Sequence, residues 1–249
     1  MKIAVVSDIH GNLPALEAVL ADLKSEATDV VVNLGDCVSG PLWPEETAQL
    51  LMEQEWPTVR GNHDRQVLNA LSSPETTTDG FSIRRLSETS KQWLASLQPT
   101  IRFSEEIFLC HGTPTRDNKY LTEQVEGSKA FLADEATIAA ALEGERSPLI
   151  CCGHTHIPRV IRLTCTGQTI VNPGSIGLPA YDDDQPLWHK MEIGSPHARY
   201  AIMQETHIGW FFYEKVVTYD WEKAAQQAEL NGRPTWAHSL RHGFFGPLS

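Results

Sequence analysis

The first sixty residues alternate short apolar runs with segments in which apolar residues recur at helical spacing. The runs at 3–6 and 30–34 are rich in β-branched residues, which is typical of strands buried on both faces. Between them, leucines recur every three or four residues after Asn12, a good helix N-cap. This spacing predicts an amphipathic helix. A second helix at 44–55 and a short strand at 58–60 continue the alternation. This order predicts a parallel sheet with right-handed crossovers.

The pattern changes beyond residue 64. Further elements are predicted as helices within 65–98 (broken by a polar stretch at 72–80) and within 124–143, and as strands at 107–110 and 149–152. Closely spaced strands between 160 and 217 predict a second, mainly antiparallel sheet packed on the first. An amphipathic helix near 221–230 and an irregular tail follow. Without an internal repeat or linker, the sequence predicts one domain over 1–249, with 219–249 packed on it.

Composition and net charge limit the classes of molecule that this protein is expected to bind. The chain has 249 residues, 41% of them apolar, and its 32 acidic and 20 basic side chains give a net charge of −12. Such a surface repels long nucleic acids and anionic membranes on average, so neither is expected as a partner. A small phosphorylated substrate remains compatible, because its charge can be met locally. The oligomeric state is left open by these features.

Targeting signals and cysteine usage indicate where the protein resides. Ser7, Asp8 and His10 cut the first apolar run too short for a signal-peptide core, and no stretch is long enough to span a membrane. The five cysteines include no C-x-x-C pair, which favours reduced thiols over a disulfide framework. The sequence therefore predicts a cytoplasmic protein.

Five short polar segments share one position, because each follows or ends an apolar strand. They are Asp8-Ile9-His10-Gly11-Asn12, Gly35-Asp36, Gly61-Asn62-His63-Asp64, His111-Gly112 and Gly153-His154-Thr155-His156. Ligands of open α/β sheets bind beyond the carboxyl ends of the strands. In extended backbone, alternate residues point the same way, so Asp8 with His10 and His154 with His156 are each expected to face one side.

The donor atoms of these segments indicate a metal site. Carboxylates, an amide and imidazoles, without a thiolate, favour first-row divalent metals over an all-oxygen calcium site. Two ions that share a carboxylate suit the seven candidate ligands, which are Asp8, His10, Asp36, Asn62, His111, His154 and His156. Mn²⁺ or iron is expected first, with Zn²⁺ as an alternative. Two metal ions held about 3.5–4 Å apart promote in-line phosphoryl displacement, because they stabilise the attacking and the leaving oxygen.

The five segments, in this order, resemble the motif set of the calcineurin-like metallophosphoesterases, and compact bacterial and archaeal phosphodiesterases match best. The resemblance runs from residue 3 to about 176 and includes Asn172-Pro173-Gly174-Ser175. It implies an α/β fold built as a four-layer αββα sandwich, with two mixed β-sheets flanked by helices. It also implies a hydrolase that cleaves phosphoesters with two metal ions.

The resemblance also implies roles for individual residues. One metal would be held by Asp8, His10 and His156, and the second by Asn62, His111 and His154. Asp36 would bridge the two ions, and a hydroxide bridging them would attack phosphorus directly. His63 would protonate the leaving oxygen or stabilise its charge, a general-acid role that suits the pKa range of histidine.

One motif departs from the protein phosphatases of the superfamily, which carry Gly-Asp-x-x-Asp-Arg-Gly. This chain has Gly35-Asp36-Cys37-Val38-Ser39-Gly40-Pro41, so Ser39 and Gly40 replace the Asp that orients the catalytic imidazole and the Arg that grips phosphate. A dianionic monoester loses more from the missing Arg than a diester does. The sequence thus favours a phosphodiesterase and leaves open what orients His63, although Asp64 is adjacent.

Four further side chains are candidate substrate contacts: Asn12, Arg60, Arg116 and Tyr120. Each has a simpler alternative, namely a helix cap for Asn12, an ion pair for Arg60 and a solvated loop for Arg116 and Tyr120. Alternative activities are a phosphomonoesterase, a dinucleoside-polyphosphate hydrolase or a protein phosphatase-like enzyme. An alternative of another class is a non-catalytic metal-binding scaffold for a protein partner.

Overall fold

Strands and helices alternate in the first part of the computed structural model, which describes residues 1–246. The strands are β1 (Lys2–Val6), β2 (Val30–Asn33), β3 (Thr100–Arg102), β4 (Ile107–Cys110), β5 (Glu123–Glu126), β6 (Lys129–Leu132), β7 (Leu149–Cys151), β8 (Arg159–Arg162), β9 (Thr169–Asn172), β10 (Ala180–Asp183), β11 (His189–Glu192), β12 (Ala198–Thr206) and β13 (Gly209–Val217). The helices are α1 (Leu13–Glu26), α2 (Pro44–Gln54), α3 (Asn62–Asn69), α4 (Thr78–Ile83), α5 (Glu88–Ser96), α6 (Glu135–Ala141), α7 (Trp221–Leu230) and α8 (Pro234–His242). A 3₁₀ turn covers Ala70–Ser72.

Two mixed sheets form the centre of the fold. The first has the strand order β13-β12-β1-β2, in which β1 is parallel to β2 and antiparallel to β12. The second has the order β3-β4-β7-β9-β8, with β4, β7 and β9 parallel. Buried apolar side chains of both sheets meet in one cluster, including Val5 and Val32 from the first and Leu109 and Cys151 from the second. The two sheets therefore pack face to face.

Helices cover the outer faces of these sheets. Leu16 of α1, Ala48 of α2 and Leu240 of α8 belong to one apolar cluster on the first sheet, and Ile138 of α6 belongs to another on the second. The predicted α/β class, with helices flanking two packed mixed sheets, is confirmed. A third sheet, of order β10-β11-β6-β5, was not predicted.

The predicted partners of the later strands are wrong. The strands between 160 and 217 do not form one antiparallel sheet, because β8 and β9 join the second sheet, β11 joins the third, and β12 and β13 join the first. Residues 58–60 form only isolated bridges, from Thr58 to Asn33 and from Val59 to Gln98. The hydrophobic pattern of a strand reports how it is buried and carries no information on which strand lies beside it.

Two helix predictions also need correction. Within 124–143 the first part is the hairpin β5–β6, turning at Gly127 with a φ of 59°, and helix α6 begins only at Glu135. The tail after α7 is not irregular, because Pro234 opens helix α8 in the first turn, where its missing N–H has no cost. The last part of the predicted tail, 247–249, lies outside the described residues.

Candidate metal centre

The predicted ligands lie at the carboxyl ends of the central strands, where the two sheets meet. Asp8 and His10 follow β1, Asp36 follows β2, His111 follows β4, His154 and His156 follow β7, and Asn62 opens α3. All seven side chains are buried, with His154 the most exposed at 8%. The fold thus brings together every residue that the sequence motifs singled out as a ligand.

The backbone at this cluster is strained. Asp8, His10, Asp36, His154 and His156 have φ between 51° and 69°, in the left-handed region. They make up five of the eight non-glycine residues with positive φ in the described chain. Each such conformation costs about 1–3 kcal/mol and is retained mainly at functional sites. The side chains therefore converge through tight loops, and the expectation of extended backbone at the pairs Asp8 with His10 and His154 with His156 is wrong.

The first ligand group consists of Asp8, His10 and His156, with one donor atom of each within 4.8 Å of the others. His10 Nδ1 lies 2.8 Å from the Ser39 carbonyl, and His156 Nδ1 lies 2.7 Å from the Leu178 carbonyl. Because carbonyl oxygens only accept, both Nδ1 atoms carry hydrogen. In neutral rings the two Nε2 lone pairs then face each other at 3.1 Å, an arrangement that a cation between them would stabilise.

The second group consists of Asp36, His111 and His154. His111 Nδ1 donates to the Leu34 carbonyl at 2.7 Å, while its Nε2 faces Asp36 Oδ2 at 3.2 Å and the Asn62 amide oxygen at 3.0 Å. His154 Nε2 is buried without a hydrogen-bond partner. Such a nitrogen is costly to bury unless it binds a ligand.

Asp36 connects the two groups. Its Oδ2 lies 3.2 Å from His111 Nε2 in the second group and 3.9 Å from His10 Nε2 in the first. Asp8 Oδ1 is likewise 3.3 Å from His156 Nε2 and 3.9 Å from His111 Nε2, and it has no hydrogen-bond partner. The residues present fit two adjacent cation sites of mixed nitrogen and oxygen donors.

The electrostatics of His10 and His154 suit metal ligands. Burial, together with the neighbouring His156, lowers the pKa of His10 to about 4. Burial and His111 lower the pKa of His154 to about 3. Both imidazoles are therefore neutral at physiological pH, as coordination requires. Burial opposes ionisation of Asp36, but nearby histidines, His111 foremost, outweigh it and hold the pKa of Asp36 well below its usual range.

His63 stands beside this cluster, with its ring centre 5.6 Å from that of His10. Its backbone N–H donates to Asp36 Oδ1 at 2.9 Å, which fixes the start of α3. Its side-chain Nδ1 lies 3.0 Å from Asp79 Oδ1. Ser39 Oγ donates to the same carboxylate oxygen at 2.6 Å.

Asp64, the neighbour of His63 in sequence, points elsewhere. Its carboxylate accepts from the backbone N–H groups of Asp36 and Gly61, each at 2.9 Å, and of Cys37 at 2.8 Å. It therefore ties two of the motif loops together. The contact to the His63 ring comes from Asp79, which sequence reasoning missed because it lies in the polar stretch 72–80.

A cavity of about 440 Å³ opens over His10, His63, His154 and His156. Among the described residues that line it there is no lysine or arginine, while several aspartates and the Trp236 ring of α8 contribute to its walls. Gly40 occupies the motif position where the phosphatases have arginine. A Cβ atom there would overlap the His10 carbonyl oxygen and come within 3.2 Å of the Trp236 ring.

The four candidate substrate contacts lie outside the described lining of this cavity. Asn12 is fully buried, caps α1 through the Ala15 N–H and donates to the Gly177 carbonyl. Arg116 lines a separate surface pocket, and the buried Nε of Arg60 has no hydrogen-bond partner.

Tyr120 packs against the proposed ligand His154. Its ring centre is 4.9 Å from that of His154, and its hydroxyl is 3.0 Å from His189 Nε2 and 3.1 Å from the Tyr181 hydroxyl. Tyr181 in turn donates to the His154 carbonyl at 2.9 Å. This network supports the loop that carries His154.

A sequence model described as the calcineurin-like phosphoesterase superfamily domain matches residues 1–191. The chain belongs to this superfamily. It is 28% identical over 258 residues to an uncharacterized protein of Methanocaldococcus jannaschii, with 94% of each chain covered. It is similar to the crystal structure of a metallophosphoesterase from Sphaerobacter thermophilus, at 26% identity and a TM-score of 0.74, covering 96% of this chain and 98% of that one. A hypothetical protein from Pyrococcus horikoshii OT3 shares the fold, at 19% identity and a TM-score of 0.72, covering 98% and 99%.

Membership of the superfamily confirms the predicted family and implies a metal-dependent phosphoester hydrolase. The two candidate ligand groups agree with that metal dependence. The match ends at residue 191, so β12, β13, α7 and α8 lie beyond it. No helix in residues 1–246 combines the length and apolar character needed to cross a bilayer.

Proposed function

We propose that this protein is a dinuclear metal-dependent phosphodiesterase that hydrolyses small phosphodiesters. The observation that carries the proposal is the pair of adjacent, buried ligand groups that meet at Asp36. The net charge of −12 favours a small phosphorylated molecule over a long nucleic acid or a membrane surface as substrate. The cysteines fit the proposed cytoplasmic location, where thiols stay reduced, because four of the five are buried and all five are free.

The proposed ligands divide between two ions. Asp8, His10 and His156 would hold one, and Asn62, His111 and His154 the other, with Asp36 shared. The mixed imidazole, amide and carboxylate set favours Mn²⁺ or iron, with Zn²⁺ as the alternative. When bound, two such ions acidify water and stabilise the charge that develops on the phosphoryl oxygens.

His63 is the proposed general acid. Overall, one water and one diester become a phosphomonoester and an alcohol. A bond forms between the water oxygen and phosphorus, and a proton of that water passes to solvent. The bond from phosphorus to the leaving oxygen breaks, and His63 donates its proton to that oxygen. The imidazole then regains a proton from solvent, to which its side chain is 34% exposed.

The preference for diesters rests on the cavity wall. A monoester dianion needs charge-assisted donors, and no arginine or lysine lines the described part of the cavity. The steric overlap at Gly40 leaves no room for the arginine of the phosphatase motif. A diester carries one negative charge less and has a second organic group, for which Trp236 offers an apolar wall.

Reconstitution with defined metals tests the proposal. Chelator-treated protein is loaded with Mn²⁺, Fe²⁺ or Zn²⁺ and assayed on bis(4-nitrophenyl) phosphate and on 4-nitrophenyl phosphate. We expect metal-dependent hydrolysis that is faster on the diester. Asp36→Asn should abolish it, whereas Asp134→Asn, which keeps the cap of α6 in an exposed position, should not.

Two results would contradict the proposal. Faster hydrolysis of the monoester would overturn the preference for diesters and favour a phosphomonoesterase. Metal-loaded protein that hydrolyses neither compound would favour a non-catalytic scaffold.

A further inference from the structure

We propose that Asp79 is the positioning residue for His63, with Ser39 holding the Asp79 carboxylate in place. This inference rests on the proposed function, since it concerns the general acid of that reaction. It assigns to a residue of helix α4 the part that the superfamily's protein phosphatases give to an Asp within their own Gly-Asp motif.

The hydrogen bonds around His63 carry the proposal. Asp79 Oδ1 lies 3.0 Å from His63 Nδ1 and accepts from Ser39 Oγ at 2.6 Å. Ser39 Oγ is itself 3.4 Å from His63 Nδ1, so the three groups form a compact triangle. With Nδ1–H donated to the carboxylate, Nε2 is the nitrogen left free for the cavity that His63 lines.

The other carboxylates near His63 are engaged elsewhere. Asp64 accepts from three backbone N–H groups, and Asp36 Oδ1 accepts from the backbone N–H of His63 itself. Asp79 does not belong to the described cavity lining, whereas its neighbour Thr78 does. Asp79 therefore acts on the reaction through His63 and not by touching substrate.

The fold holds α4 firmly against the loop that carries Ser39. The Ser82 hydroxyl, one turn after Asp79, lies within hydrogen-bond distance of the Val38 carbonyl at 3.2 Å and accepts from the Gly40 N–H at 3.1 Å. Thr77 caps the helix by accepting from the Gly80 N–H at 3.0 Å. Both Ser39 and Ser82 are buried, so the carboxylate is pre-positioned before substrate arrives.

Leaving-group dependence separates positioning from general stabilisation. Asp79→Ala should reduce kcat about 10- to 100-fold on diphenyl phosphate, whose phenolate leaves poorly and needs the proton. On bis(4-nitrophenyl) phosphate, whose leaving group needs little protonation, the loss should be several times smaller. An equal loss on both diesters would overturn the proposal, because it would mean a merely structural role.

A double-mutant cycle tests whether Asp79 acts through His63. In the His63→Ala background, Asp79→Ala should cause no further loss of kcat. Multiplicative losses would mean that Asp79 acts independently and would overturn the proposal. Ser39→Ala, which leaves α4 intact, should give a smaller loss with the same leaving-group dependence. Glu88→Gln, which removes a first-turn acid from α5 away from the cavity, is the matched control and should leave kcat unchanged.

Nitrogen-15 NMR of the histidine side chains gives a readout that does not need turnover. In Zn²⁺-loaded protein, His63 should show a hydrogen-bonded Nδ1–H resonance that disappears in His63→Ala and is lost or shifted in Asp79→Ala. If the wild type hydrolyses no diester, the proposed function fails, yet this resonance still decides the orientation of the ring. A His63 signal that is unchanged in Asp79→Ala would overturn the positioning role.

Discussion

Gly40→Ala is expected to damage the site through a single added methyl group. The new Cβ would overlap the carbonyl oxygen of His10 and lie 3.2 Å from the Trp236 ring. The first of these neighbours is backbone, which cannot rotate away as a flexible side chain can. His10 is also a proposed ligand whose backbone is already strained at a φ of 51°.

The size of the effect follows from the separation needed. Ordinary contacts between heavy atoms lie near 3.5 Å, so the two backbone segments must part by about 1 Å. Overpacking of this kind costs about 1–3 kcal/mol, which lowers the Tm of a chain of this length by roughly 2–12 °C. A displacement of about 1 Å in a reacting group can cost about 100-fold in rate.

Thermal unfolding, bound-metal analysis and kcat on bis(4-nitrophenyl) phosphate measure the effect. Gly127→Ala is the control for adding a methyl group without a steric overlap, because nothing lies within 4 Å of the new Cβ; its cost comes from the φ of 59° alone, a backbone strain that Gly40 does not have. It should lose about 1–2 kcal/mol of stability and retain full activity. If Gly40→Ala kept wild-type Tm, metal content and kcat, the argument that His10 packs too closely for any side chain at residue 40 would be refuted.

Three further outcomes are expected. His63→Ala should retain both ions by elemental analysis while kcat falls about 10²- to 10⁴-fold. Asp36→Asn should instead lose both ions. Loss of metal in His63→Ala would contradict the assigned roles. Adding Mn²⁺ to chelator-treated protein at about 100 times its Kd should stabilise the fold by about 2.7 kcal/mol, or roughly 5–11 °C in Tm, and an unchanged Tm would argue against a buried site. The Glu26 carboxylate, bound to Lys215 and Lys2, has a pKa lowered to about 2 from 4.5, so its stabilisation is present above pH 4.5 and is lost as the pH falls toward 2. In urea unfolding, Glu26→Gln should therefore be less stable than wild type by about 1–2 kcal/mol at pH 6, with a difference that shrinks by pH 3.

The ligand cluster could be predicted because its signals are local. Asp8 and Asp36 each follow a short buried strand, and parallel strands end at the same edge of a sheet, so their neighbourhood is implied by sequence alone. The close approach of these side chains in the structure agrees with that reasoning, while metal binding stays a prediction. The left-handed backbone that points His154 and His156 inward left no sign in the hydrophobic pattern.

Asp79 could not be predicted, because its relation to His63 is tertiary. It lies in a polar stretch that resembles a break between helices, and only the packing of α4 against the Ser39 loop brings it to the imidazole. Trp236 was missed for a similar reason. It belongs to α8, whose place on the cavity wall depends on how the C-terminal helices pack on the first sheet.

The pairing of β1 with β12 has a consequence for synthesis on the ribosome. β1 emerges well before its antiparallel neighbour β12, because Lys2 pairs with Gln204, far along the sequence. The loop after β1 is also fixed late, since the Asp8 carbonyl accepts from the Gly177 N–H and the Ser175 hydroxyl. Contacts so distant in sequence form slowly and leave a strand edge open while the chain grows. Metal capture by this protein is therefore expected only after β12 has emerged and paired with β1, and not while the ligands after β1 are the only ones made.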